Sequence, residues 1–386
     1  MDRMHILIIG GGGTGGALAH DLVLRGFDVT LVERGEVTSG TTGRHHGLLH
    51  SGARYAVKDH ESARECIEEN TILRKIAPGS FEENDGLFVA VNDEDVEYSR
   101  LFLEGCAETD IPTRTLTREQ ALRLEPNLSP KTIMAVQIPD ATMDAMRMPL
   151  RFFATAKKNG AKILPFTEVI SIERNGDVIK SVKVRDNRSN KEYEIKADLI
   201  VNAAGPWCGK LAEMANVNVP IRPSPGVMVA VRGRLANMVI NRMTPSGDGD
   251  IIVPQRGLSV IGTSSWVVDD PDKLGLPQEH IDKMYHEGAQ MMPIIANAPL
   301  RAAWSAARPL IGDDGADSGR ELSRTFKCFD HANQGVNNFV TITGGKATTL
   351  RGMAEATANV VCEKVGSDAQ CKTREVVLLP HQAYYK

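Results

Sequence analysis

Six cysteines are scattered over the 386 residues, at Cys66, Cys106, Cys208, Cys328, Cys362 and Cys371, and none stands in a C-x-x-C pair. The chain therefore carries no sequence mark of a metal knuckle, an iron–sulfur cluster or a redox dithiol, and such sparse use fits a reducing cytoplasm. No apolar run reaches the roughly 18 residues needed to cross a bilayer. The N-terminus runs straight into an apolar strand without the small-residue cleavage site of a secretory leader. Membrane contact is thus expected to be peripheral or through a partner. An excess of positive charge is missing too: 45 Lys and Arg stand against 49 Asp and Glu, a net charge of −4. With no broad basic field, nucleic acid is not an expected partner, and any cationic site must be local. Internal repeats, low-complexity tracts and long linkers are also absent from the sequence.

What remains is an ordinary globular composition, 42% hydrophobic and 24% charged, over a length that implies two domains or one domain with a large insertion. The first thirty-five residues read as strand, glycine turn, helix, turn and strand. His5 to Ile9 form a continuous apolar run, as a parallel strand covered on both faces requires. Ala17, Leu18, Leu22 and Leu24 make a helical stripe that Gly26 ends, and Val29 to Val32 form the second strand. Between them Gly10, Gly12 and Gly15 match G-x-G-x-x-G. The first permits the turn, the second lets backbone approach a pyrophosphate, and the third lets helix and strand pack. Glu33 closes the second strand where an acid can accept ribose hydroxyls. An adenine dinucleotide is expected here, and the fingerprint alone does not separate NAD from FAD.

The stretch TTGRHHGLLHSGARY, residues 41–55, bears on that choice. Ser39, Thr41 and Thr42 can donate hydroxyl bonds, while Gly40, Gly43, Gly47 and Gly52 let backbone approach a flat ring. A second turn, TITGGKATT, places Gly344 and Gly345 before a helix whose N-terminal N–H groups would stabilise charge on a reduced flavin. The two turns are expected to converge on one isoalloxazine, with Gly47 and Gly345 at a shared cavity. His45, His46 and His50 read first as a polar loop surface; as a base for an alcohol proton, a histidine has a suitable intrinsic pKa, and His50 is favoured over His46. No carboxylate or cysteine accompanies them at ligand spacing, so no metal is expected. Arg54, Tyr55, Arg308, Arg324 and Lys346 form a cationic constellation. Arg308 lies in the small, apolar WSAARPL, where a buried, unanswered guanidinium would cost several kcal/mol and calls for an anion. A phosphate monoester, with a charge of about −1.5 to −2, suits the planar fork of arginine.

Further along, SARECIEENTILRKI reads as a helix, GLFVAVN as a strand and TREQALRLEP as a helix capped at Thr117. Residues 150–158 read as helical, and KILPFTEVISIER with VIKSVKVRD as a three-stranded, hairpin-like insertion. ADLIVNAAGPW is a buried strand expected to return to the first sheet, with Gly205 allowing close backbone approach. Residues 220–324 read as mainly β with one helix near His280 to Met292. The fold class expected is α/β (α+β overall): an FAD-binding Rossmann-like domain from residues 1–78, 145–218 and 325–386, with a mainly antiparallel substrate-binding domain from 79–144 and 219–324.

In order along nearly the whole chain, IIGGGGTGG, GRHHGLLHSGARYAV, ESARECIEEN, DGLFVAV, VNAAGPW, VIGTSS, SAARPL and TITGGKATTLRGMAE resemble the FAD-dependent glycerol-3-phosphate dehydrogenases of the D-amino-acid-oxidase-like superfamily. The likeness is greatest to the large catalytic subunits of the anaerobic, quinone-linked branch. The resemblance implies noncovalent FAD, hydride transfer from glycerol 3-phosphate to the flavin, and dihydroxyacetone phosphate as product. It implies substrate contacts at Arg54, Tyr55, Arg308 and Arg324 and a place for Lys346 near the flavin or phosphate; with His50 as the favoured base, catalytic roles are expected for His50, Arg308 and Lys346. It adds to Gly10, Gly12, Gly15 and Glu33 the cofactor contacts Thr14, Arg34, Thr41, Thr42, Arg44, His46, Gly47, Leu48, Val169, Ala204, Gly205, Trp207 and Gly262. The same likeness adds Gly344, Gly345, Lys346, Ala347 and Thr348. It further implies an iron–sulfur or membrane-anchor partner subunit, a quinone as eventual acceptor, and a cytoplasmic location or a peripheral one at the inner membrane face. That branch continues into a cysteine-rich domain beyond the stretch that these motifs cover. Two rival readings stand beside it: a related flavin enzyme of a 2-hydroxy acid or amino acid, whose carboxylate would answer Arg308, and a noncatalytic flavin-binding protein.

Overall fold

The computed structural model describes residues 3–312 and 325–386. The strand β1 (His5–Ile9) lies at the middle of a six-stranded sheet, parallel to β2 (Asp28–Val32) on one side and to Leu199–Asn202 on the other. Its unbroken apolar run is needed because both sheet faces are covered. On one face α1 (Gly13–Leu24) packs with the helices Arg147–Lys158 and Leu350–Val365, burying Ile6, Ile8, Leu18, Leu22, Phe153 and Met353 in one cluster. The other face buries Leu7, Ile9, Ile200 and Phe339 against Val182 and Val184 of a three-stranded antiparallel sheet. That sheet consists of Thr167–Asn175, Val178–Asp186 and Glu192–Ile195.

The expected insertion is therefore present, with one change of membership. Lys162–Leu164, read with the hairpin, instead pairs in parallel with β2 and forms an edge of the six-stranded sheet. At the opposite edge Phe326–Asp330 runs antiparallel to Phe339–Gly344.

A second, eight-stranded sheet joins distant parts of the sequence. Gly86–Ala90, Met134–Ile138 and Arg114–Thr117 meet the later strands through the parallel pairing of Gly86–Ala90 with Val239–Arg242. Every other neighbour pair in that sheet is antiparallel, ending in Leu300–Ile311 beside Ile221–Arg232. The helix Gln278–Met291 covers one face through Ile281, Met284 and Met291. The short helix Arg118–Leu124 starts at Thr117 with a complete capping box, closed by Gln120. A small sheet of Leu48–Leu49, Ala141–Met143 and Phe81–Glu82 sets the histidine-rich stretch against the larger sheets.

Candidate active site

The turn after β1 is shaped by contact with the neighbouring strand. Gly10 has φ +117°, and a Cβ there would lie 2.5 Å from the Ala203 carbonyl oxygen. Neither side can yield easily: the Gly10 N–H donates to Val32 O at 2.9 Å, and the Ala203 N–H donates to Ile9 O at 2.8 Å. Glu33 accepts the N–H groups of Gly11 and Gly35 at 2.7 and 2.8 Å, one on each oxygen. A carboxylate offers about four lone-pair sites, so acceptor capacity remains for a ribose. No side chain caps α1 at Gly12, although the Gly13 N–H donates to the Thr42 hydroxyl at 3.0 Å.

Residues 41–55 fold as a 3-10 turn (Thr41–Arg44), a two-residue strand and a second 3-10 turn (Ala53–Tyr55). Two bonds pin the first turn to the edge strand of the large sheet: the Thr41 hydroxyl donates to Ala307 O and the Trp304 indole donates to Arg44 O, each at 2.7 Å. The His50 N–H donates to the Thr348 hydroxyl at 3.0 Å, so the two glycine-bearing segments are tied directly together.

Between them lies a cavity of about 1030 Å³. From the fingerprint end its wall includes Gly10, Gly12, Thr14, Glu33 and Arg34; from the histidine-rich stretch, Thr41, Thr42, Arg44, His46, Leu48, His50, Arg54 and Tyr55. Val169, Ala204, Gly205, Trp207 and Arg308 line it, as do Gly344, Gly345, Lys346 and Ala347. Four expected contacts stand behind the wall instead. Gly15 is packed against Gly10 O, Gly47 against Met143 O and the Gln255 amide, and Gly262 against Met228. Thr348 is buried and occupied with His50. These four positions shape the cavity through packing rather than by facing it, so the expected meeting is between the flanks of Gly47 and Gly345. Arg324 lies outside the described residues.

The cations of the constellation gather around the histidines. Burial first, then Arg54 and Lys346, push the His50 imidazole down to about 3; burial with His50, His45, Arg308 and Arg54 holds His46 well below its usual value. The suitable intrinsic pKa of a histidine is thus lowered in this setting, since desolvation and neighbouring cations both penalise imidazolium. The rings of His45, His46 and His50 follow one another at 6.2 and 6.1 Å, and Tyr55 lies 5.7 Å beyond His50. Lys346 sits 5.1 Å over the Tyr55 ring and 3.5 Å from Glu65.

Arg308 is placed differently from its expectation. Its Nη groups donate to the carbonyls of Ser224, Pro225 and Ser264 and to the Thr263 hydroxyl. Burial of Arg308 thus does not by itself demand an anion, although the side chain faces the cavity. Residues that the sequence reading left out also reach the wall. Asp272 binds Arg34 at 2.8 Å, the Trp207 indole at 2.9 Å and Lys210 at 3.0 Å, and the Arg34 guanidinium stacks 4.3 Å from the Trp207 ring. No spacing signal announced this group, because its members are brought together only by the loop after Gly262.

A family model for FAD-dependent oxidoreductases matches residues 5–360. The chain belongs to that FAD-dependent family. It is 40% identical to an anaerobic glycerol-3-phosphate dehydrogenase subunit of Haemophilus influenzae over 96% of this chain and 66% of the relative. Identity to the same-named subunit of Escherichia coli K12 is 40%, over 97% and 69%, and to a like-named one of Haloferax volcanii 41%, over 96% and 65%. The chain thus spans about two thirds of the length of the curated relatives it matches. Among solved structures, glycerol-3-phosphate dehydrogenase from Bacillus halodurans, complexed with FAD, superposes with a TM-score of 0.77 at 24% identity, covering 98% of this chain and 68% of that one. Glycine oxidase from Geobacillus kaustophilus reaches 0.74 at 20% identity, covering 98% and 99%. These two share the fold.

FAD is the family's cofactor, and the residues fit it. The close-packed turn at Gly10, the start of α1 at Gly12, the spare acceptor sites of Glu33 and the glycine pair 344–345 lie along one continuous cavity.

Proposed function

We propose that the chain oxidises sn-glycerol 3-phosphate to dihydroxyacetone phosphate and passes the electrons to a partner protein and eventually a quinone. The observation that carries this reading is the gathering of Arg54, Arg308 and Lys346 on the wall of the flavin cavity, beside His46 and His50, whose pKa values burial and these cations lower. The 40% identity to proteins named as glycerol-3-phosphate dehydrogenase subunits supports it. When bound, FAD would supply the acceptor for the hydride that leaves C2, and the hydroxyl proton must go to a base.

The guanidinium groups suit a phosphate, which accepts paired, charge-assisted N–H bonds. A neutral imidazole keeps the lone pair that a proton acceptor needs. An arriving phosphate would offset the repulsion that Arg54 and Lys346 exert on His50, raising its proton affinity once substrate is bound. We assign the FAD-binding role to residues 1–78, 145–218 and 325–386 and the substrate role to 79–144 and 219–324. Among the described residues no helix is long and apolar enough to cross a membrane, which fits reaching the quinone through an iron–sulfur or membrane-anchor partner.

The test is anaerobic titration of the FAD-loaded protein with glycerol 3-phosphate, followed at the flavin absorption bands. Bleaching is expected. Bleaching by a 2-hydroxy acid or an amino acid, with none by glycerol 3-phosphate, would favour the rival substrate class; bleaching by neither would favour a noncatalytic flavin-binding protein.

A further inference from the structure

Arg54 is held by one end. Its Nη2 donates to both oxygens of Asp250, at 2.6 and 2.8 Å, and to the Gly247 carbonyl at 3.1 Å. Asp250 also accepts the Gly247 N–H at 2.7 Å, so the turn carrying the carboxylate closes upon itself around the guanidinium. Both side chains are buried, with 8% and 6% of their surface exposed. The other terminal nitrogen, Nη1, is buried as well and has no hydrogen-bond partner among the described residues. A buried charged donor without an acceptor is unfavourable, and Arg54 lines the cavity together with Tyr55 and Ser246. The carboxylate is supplied from 196 residues away, so the pairing is a property of the fold rather than of a local motif.

We propose that Asp250 is a positioning residue, which grips Nη2 of Arg54 and so holds the guanidinium at the cavity wall for a phosphate oxygen of the substrate. This rests on the glycerol 3-phosphate reading given above. The end-on grip matters because an arginine has many rotamers, and fixing one of them beforehand removes that ordering from the cost of binding.

Simple electrostatics and positioning predict opposite signs for one substitution. Asp250→Asn removes a negative charge near the site, which by charge alone would tighten phosphate. It also replaces one of the two oxygens that hold Nη2 by an NH2 donor, which would release Arg54. The FAD-loaded wild type, Asp250→Asn, Asp250→Glu, Arg54→Ala and the double variant Arg54→Ala/Asp250→Asn would be assayed with glycerol 3-phosphate and a dye acceptor. Positioning predicts that kcat/KM falls roughly tenfold or more in Asp250→Asn, the scale of one charge-assisted hydrogen bond. It predicts partial recovery in Asp250→Glu and no further loss when Asp250→Asn is added to Arg54→Ala. Unchanged or improved kcat/KM in Asp250→Asn overturns the proposal. So does the same loss in both backgrounds, which is what a merely structural role would give. The flavin-band shift on titration with inorganic phosphate provides a readout without turnover: Kd should rise roughly tenfold in Asp250→Asn, and an unchanged Kd overturns the proposal. If glycerol 3-phosphate fails to bleach the wild type, the functional reading fails, while the phosphate titration still decides the role of Asp250.

Discussion

Replacing Gly10 by alanine perturbs the cofactor site through backbone alone. At φ +117° an alanine would be strained, a penalty of about 1–3 kcal/mol for a residue held in a sparsely populated region. The added Cβ would also stand 2.5 Å from Ala203 O, 2.7 Å from Ala203 C and 2.9 Å from Ala204 Cα. These are backbone atoms of a segment bonded to β1 through Ala203 N–H, so the turn rather than the neighbour must move. The turn is the surface on which the pyrophosphate would rest, and a few tenths of an ångström there misaligns several donors together. We expect the Kd for FAD to rise about 100-fold, equivalent to about 2.7 kcal/mol. Gly26→Ala is the control: its φ is +94°, but an added Cβ meets nothing within 4 Å among the described residues. It should cost about 1–2 kcal/mol in stability and leave FAD affinity alone. Flavin fluorescence titration of the apoprotein, with circular dichroism to verify folding, measures both. A folded Gly10→Ala protein whose FAD affinity stays within threefold of wild type would refute the close-approach argument.

Two further predictions follow from buried imidazoles. His20 is fully buried with neither ring nitrogen hydrogen-bonded among the described residues, and burial pushes it down to about 4. Because its folded pKa lies below the unfolded value, its contribution is intact above pH ~6.5 and is lost as pH falls toward 4. At pH 5 the loss is about 2 kcal/mol, from about 1.36 kcal/mol per unit. His20→Leu should therefore stabilise the protein at pH 7.5 by removing two orphaned polar atoms, and more so at pH 5; an equal effect in denaturant melts at both pH values would contradict the assignment. For His50, the kcat/KM profiles of wild type and His50→Asn should share one inflection near pH ~6, from the second ionisation of the substrate phosphate. An additional wild-type inflection between pH 6 and 7 would show that burial does not hold His50 neutral.

The parts of this fold that were legible are those in which the cause is local. An apolar run as short and unbroken as Ile6–Ile9, ended by glycines, suits a strand with both faces covered, and Thr117 with Gln120 caps a helix wherever the chain takes it. Glycine spacing located the turn at Gly10 because strain and steric contact act at that residue itself. Lys162–Leu164 escaped because three residues carry no period, and what settles them is an open position beside β2, more than 130 positions earlier.

The electrostatic content of the site was less legible for the same reason. Arg308 looked as though it required an anion, yet strand pairing sets it opposite Ser224 and supplies carbonyl acceptors that its own segment does not contain. His50 carries a suitable intrinsic pKa on paper; of the influences that lower it, Arg54 stands in the same stretch, but the burial is a property of the fold and Lys346 comes from the far end of the chain. Asp250 belongs to a turn, SGDGD, that displays no motif and becomes informative only when Arg54 is found against it. Residue type and spacing can therefore nominate which side chains reach a flavin cavity. The fold then decides which of their donors are already engaged and which, like Nη1 of Arg54, find no acceptor among the described residues.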